Sequence, residues 1–151
     1  MCSTGANERG LPMISAIVGN QGSGKTARIV REISELAARP ETNIVCIEYG
    51  KRFDHQLPFS VRLIDIKEYP IRGYDGLLAF LAGINARDYD ITDIFIDSIY
   101  KVASEEGQNG LGEFLQALNA FAEQVKVHFT ITISEDPENL SEEIHSFITT
   151  N

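Results

Sequence analysis

Apolar positions along this chain alternate between two spacings. Continuous runs of about four to eight residues read as buried strands, and apolar residues three and four apart read as one face of a helix. Met13–Val18 is a β-branched-rich run that stops at Gly19, which predicts a first strand. From Lys25 to Ala38 the apolar residues Ile29, Val30, Ile33, Leu36 and Ala37 share one helical face, and Arg39-Pro40 ends the pattern. Asn43–Ile47 and Val61–Ile66 predict two more strands, with a polar loop, Lys51–Ser60, between them. Tyr74–Ala86 carries Leu77, Leu78, Leu81 and Ile84 inward as a second helix. Ile91–Asp97 is an apolar strand ending in an acid, followed by a glycine-rich loop over Ser104–Gly112. Leu111–Val125 is strongly amphipathic, and Val127–Ser134 alternates as a last strand with one less apolar face. Asp136-Pro137 has the form of a helix start, and Leu140, Ile144, Phe147 and Ile148 then form a stripe expected to bury in the chain's own core.

This order of strands and helices predicts an α/β protein: a three-layer α/β/α fold built on a mostly parallel sheet. The 151 residues suit one domain over 13–151, with residues 1–12 as a disordered leader or tag. A hydrophobic share of 43% and a charged share of 23% fit a soluble globular chain, and no apolar run reaches the roughly 18 residues that span a bilayer. Cys2 and Cys46 lack metal-ligand spacing and read as reduced thiols of a cytoplasmic protein. The net charge of −9 argues against a sequence-independent grip on nucleic acid. Arg52, Arg62, Arg72 and Arg87 are scattered and form no basic run.

The candidate chemistry lies between the first strand and the first helix. Gly19-Asn20-Gln21-Gly22-Ser23-Gly24-Lys25-Thr26 reads G-x-x-x-x-G-K-[ST], the phosphate-binding P-loop, in the strand–loop–helix context that gives the motif meaning. Glycine-permitted main-chain amides and the positive end of the helix can surround a polyanion without bulk. Gly19, Asn20, Gln21, Gly22, Ser23, Gly24, Lys25, Thr26 and Ala27 are the candidate phosphate-binding residues. Lys25 is placed to bridge phosphates as a point charge, and Thr26 to ligate Mg2+. Asp97 closes a Walker B-like strand and is the second candidate Mg2+ ligand, expected beside the P-loop; Asp93 is the weaker choice because strand residues flank it. Glu48 ends a core strand at the edge where parallel sheets bind ligands, so it is a candidate catalytic carboxylate. Ser134 ends the last strand on the same side and is a candidate phosphate sensor, whereas His55 reads as a surface residue and His128 as a structural one.

In order, spacing and motifs, residues 13–135 resemble a minimal RecA-type P-loop ATPase core. Glu48 at its strand end, the apolar run into Asp97-Ser98, and Ile131–Ser134 are similar to the family's catalytic-glutamate, Walker B and sensor strands. The resemblance implies ATP and Mg2+ as ligands and Glu48 polarising the attacking water. It also implies a site completed by a second copy or a protein partner. Ser134 departs from the longer amide or basic side chain usual at the sensor position, and the family's DNA-binding loops are missing or very short. No arginine finger is identifiable from the sequence. The alternatives are a nucleotide-binding regulatory or adaptor module that does not hydrolyse, and a small-molecule or nucleotide kinase. An Arg-rich lid between the last two helices is missing for the kinase. No N-K-x-D follows a late strand, which disfavours a GTPase.

Overall fold

A computed structural model describes residues 12–53 and 55–149. Of the leader assigned to residues 1–12, residues 1–11, with Cys2, lie outside these residues, as does Asp54. Five strands, β1 (Ile14–Gly19), β2 (Ile44–Glu48), β3 (Arg62–Asp65), β4 (Asp93–Ile96) and β5 (His128–Ser134), form one sheet in the order β1-β5-β4-β2-β3. Every pairing is parallel. Parallel strands covered on both faces read as unbroken apolar runs, which is why β2 and β4 are buried along their whole length.

Helices flank both faces. The α1 helix (Lys25–Ala37) seats Ile29 and Ile33 against Ile17, Cys46 and Phe95. On the opposite face, α2 (Gly73–Arg87) and α4 (Leu111–Val125) bury Leu77, Leu81, Leu115 and Leu118 over Ala16, Ile47, Ile96 and Phe129. Neighbouring strand residues therefore feed two different cores, one on each side of the sheet.

The structure adds to or departs from the sequence pattern in three places. First, β5 lies between β1 and β4, a strand order the sequence pattern does not specify. Asp97, just past the end of β4, still lines one cleft with residues of the loop after β1. Second, Ile99–Val102 forms a one-turn helix, α3, that the pattern did not announce. Third, the final helix is broken. A 3-10 turn at Pro137–Asn139 and a single turn, α5 (Glu142–His145), are followed by a segment laid along β1. There the Ala16 amide donates to the Phe147 carbonyl at 2.8 Å, and the Thr149 amide donates to the Ala16 carbonyl at 2.8 Å. The stripe still enters the chain's own core, with Leu140, Ile144 and Phe147 buried. Its end covers part of the outer edge of β1, an edge that would otherwise offer unpaired main-chain groups.

At the end of α4, Lys126 adopts φ +62°, the left-handed conformation that favours glycine, and its amide donates to Ala122 O at 2.8 Å. Lys126→Gly is expected to stabilise the fold by about 0.5–1 kcal/mol, read as a higher urea midpoint, because glycine removes most of the Cβ penalty. A lower midpoint would show that the Lys126 side chain contributes more than its strain costs.

Candidate functional site

The loop after β1 owes its shape to its glycines. Gly22 and Gly24 hold φ of +84° and +90°, and a Cβ on Gly19 would lie 2.5 Å from Ser23 Oγ. The Ser23 amide donates to Asn20 O at 3.0 Å, closing the turn. Gly24 occupies the N-cap of α1, where no side chain caps the helix and no acid stands in the first turn. The first amides of a 13-residue helix thus open onto the loop with their partial positive charge uncompensated.

In front of this loop lies a cleft of about 420 Å³. Among the sequence candidates, Gln21, Gly22, Gly24, Lys25, Thr26, Asp97 and Ser134 line it together. Gly19 is level with Ser134 in the β1–β5 register, so the polar end of β5 borders the start of the loop. Gly19 and Asn20 take part through their carbonyls, which accept from Lys25 Nζ at 2.8 and 3.0 Å. Ser23 serves the turn, and Ala27 stands in the first turn of α1.

Asp97 is 2% exposed, just past the end of β4. Its Oδ1 accepts from the Thr132 hydroxyl at 2.8 Å, and the same Thr132 Oγ1 accepts from the Ser98 amide at 2.7 Å. The polar face of β5 is therefore the support that orients the acid. Ser98 carries this geometry at φ +65°, an unusual conformation for a non-glycine residue.

Glu48 behaves differently. It is 1% exposed, does not line the cleft, and its Oε1 accepts from the Arg52 and Phe53 amides at 2.7 and 2.9 Å. Its observed work is to fix the loop that follows β2.

Four lining residues escaped the sequence reading: Arg52, Ser98, Tyr100 and Lys101. Arg52 Nη1 stands 3.7 Å from Asp97 Oδ2. Lys25, Arg52 and Lys101 together make the cleft locally cationic in a chain of net charge −9. The signal that could have found Arg52 is its place just beyond a core strand's carboxyl end, the edge that had already drawn notice to Glu48. Tyr100 donates its hydroxyl to Glu135 Oε1 at 2.9 Å, and burial together with that bond holds its phenol neutral.

Burial also lowers the Lys25 ammonium from its ordinary value of 10.5; the Asp97 carboxylate opposes this and the Arg52 guanidinium adds to it. The site thus keeps a cation at some desolvation cost, a cost that an incoming anion would offset. Cys46, buried in β2 against α1, is held as a neutral thiol by burial and by the carboxylates of Glu48 and Asp97.

Thr26 and Asp97 supply hard oxygen donors to one cleft, which suits Mg2+. Among the described residues no group of three or more His, Cys, Asp or Glu side chains could hold a metal. An ion here would take its remaining ligands from phosphate and water, the usual habit of Mg2+. No helix among the described residues is long and apolar enough to cross a membrane. Comparison of the chain with protein-family models finds no match, and comparison with curated protein sequences finds none either.

Proposed function

We propose that this chain binds ATP with Mg2+ through a RecA-like P-loop and hydrolyses it to ADP and phosphate. The carrying observation is the convergence of three things on one cleft: a glycine loop at an uncapped helix start, the Lys25 ammonium, and a buried, hydrogen-bonded Asp97. The interposition of β5 between β1 and β4 supports the reading, since it brings Ser134 to the cleft.

Each residue then has a stated task. Main-chain amides of residues 19–27 and Lys25 Nζ neutralise the phosphates, Lys25 exchanging its two carbonyl acceptors for phosphate oxygens. Thr26 and Asp97 hold Mg2+, which supplies charge neutralisation at the transferring group. Thr132 keeps Asp97 in place. Ser134 stands at the rim, within the same cleft.

One observation favours a second reading, a nucleotide-binding regulatory or adaptor module with little turnover of its own. Glu48, the candidate for polarising water, is occupied by two loop amides outside the cleft. On that reading a second copy or a protein partner completes the site. Phosphate release that rises faster than linearly with protein concentration would mark completion by another copy. ATP consumption only in the presence of an added acceptor, with ADP formed and the phosphoryl group carried by the acceptor, would instead favour a kinase.

Calorimetric titration tests the binding itself: heat with ATP that requires Mg2+ is expected, and no heat with ATP or GTP overturns the reading. A pH series adds a signature. The ammonium is the binding form of Lys25, and its folded value lies below 10.5. A bound polyanion raises that value, so binding takes up a proton in the alkaline range. Affinity for Mg-ATP is therefore expected to fall as pH rises towards 10.5, and this fall should vanish in Lys25→Arg, which stays charged. A flat profile in the wild type would remove Lys25 from contact with phosphate.

A further inference from the structure

We propose that Arg52 reads the terminal phosphate of the bound nucleotide from within the same chain, and that Glu48 is the positioning residue that holds it there. The inference rests on the nucleotide-site reading above and adds to it a discrimination between triphosphate and diphosphate.

The backbone around Arg52 is tied down at several points. The Arg52 amide donates to Glu48 Oε1 at 2.7 Å and also to Gly50 O at 2.8 Å. The Phe53 amide donates to the same carboxylate oxygen, and the Phe53 ring is fully buried in the core beneath α1. Gly50 is fixed in turn, its amide donating to Asp65 Oδ1 at 2.8 Å. A buried carboxylate accepting from two consecutive amides leaves this turn little freedom.

The Arg52 side chain is held far less tightly. It is 46% exposed, and its 3.7 Å separation from Asp97 Oδ2 is too long for a hydrogen bond. Electrostatic attraction aims it into the cleft while its planar fork of donors stays available for phosphate oxygens. Topology sets the side from which it approaches. Its loop follows β2, and two strands, β5 and β4, lie between β1 and β2. At about 4.8 Å per strand, the ends of β1 and β2 are roughly 14 Å apart. Arg52 therefore meets a phosphate chain from the side opposite the P-loop, where the last phosphate lies. A diphosphate ends one group short of it.

Nucleotide titrations of the full chain with Mg-ATP and Mg-ADP test this. Arg52→Ala is expected to weaken ATP binding roughly 10- to 100-fold, the range for one charge-assisted hydrogen bond, and to leave ADP binding within about twofold. Arg52→Lys should recover part of the loss. Glu48→Gln, which keeps an oxygen acceptor for the two amides, should retain ATP binding. Glu48→Ala should lose ATP binding as Arg52→Ala does, and the double variant should be no worse than either single one. If Glu48→Ala does not fold, Arg52→Ala and Glu48→Gln still decide. An Arg52→Ala chain that binds ATP as the wild type does, or that loses ATP and ADP alike, overturns the inference, as do additive losses in the double variant. A wild-type chain that binds neither nucleotide overturns the site itself, a result distinguishable from the other two.

Discussion

Lys25→Ala is expected to lose Mg-ATP affinity by about 2–5 kcal/mol, roughly thirty-fold to several thousand-fold, while the fold stays intact. The size follows from removing the cation at the centre of a partly desolvated cleft that would receive several negative charges. The preserved fold follows from how the loop is built. Its closure rests on positive-φ glycines at 22 and 24, on the Ser23-to-Asn20 main-chain bond, and on the close approach of Gly19 to Ser23. Lys25 contributes two hydrogen bonds to carbonyls, but one of these bonds is only part-buried and the other exposed, so water can replace the donor. Calorimetry with Mg-ATP, paired with a thermal melt, separates the two effects. Unchanged affinity would remove the phosphate assignment from the loop, and a collapsed melting temperature would turn Lys25 into a structural residue.

The fold was readable where its determinants are local. A β-branched run such as Met13–Val18 needs only its own residues to declare a buried strand, and the Ile29–Ala37 face declares α1 in the same way. Strand order is a different kind of property. No residue of β1 announces that β5 rather than β4 will lie beside it, so the strand order became visible only in the folded sheet, although Asp97 and the loop line one cleft. The C-terminal segment failed for a physical reason. Leu140, Ile144, Phe147 and Ile148 satisfy helical spacing, yet the main chain at Phe147 and Thr149 bonds to Ala16 instead of continuing past His145. An edge strand with unmet hydrogen-bonding groups outcompeted local periodicity there. The one turn of α3 is too short for any periodicity to register.

The site divides along the same line. The residues of the glycine loop, 19–27, are consecutive, so sequence carries both their identity and much of their geometry. Arg52 reaches the cleft from the loop after β2, and Tyr100 and Lys101 from α3 after β4, and only the folded sheet brings these segments to one edge. Glu48 was visible as an acid at a strand end, but its two bonds to the Arg52 and Phe53 amides depend on how the following turn folds back. The less apolar face of the last strand was also visible, as a pattern without a task. Thr132 gives it one.

Thr132→Val is expected to destabilise the protein by about 2–4 kcal/mol and to weaken Mg-ATP binding as well. Valine keeps the shape of threonine but not its hydroxyl. The Thr132 side chain is completely buried, and its one oxygen serves two partners that stand at the site. Without it, Asp97 Oδ1 loses the donor at 2.8 Å and the Ser98 amide loses its acceptor at 2.7 Å. A carboxylate deprived of a donor in a site only 2% exposed costs more than a neutral group in the same position. The Ser98 turn at φ +65° then loses one of the contacts that hold it against its own strain. Against a total stability of about 5–15 kcal/mol, such a loss lowers the denaturant midpoint visibly. Thr132→Ser, which restores the hydroxyl and forfeits only a methyl group, should recover most of both losses. If Thr132→Val were as stable as the wild type, the Thr132–Asp97 bond would not be the support of the acid. If it were unstable yet bound Mg-ATP normally, Asp97 would hold the strand ends together rather than the metal.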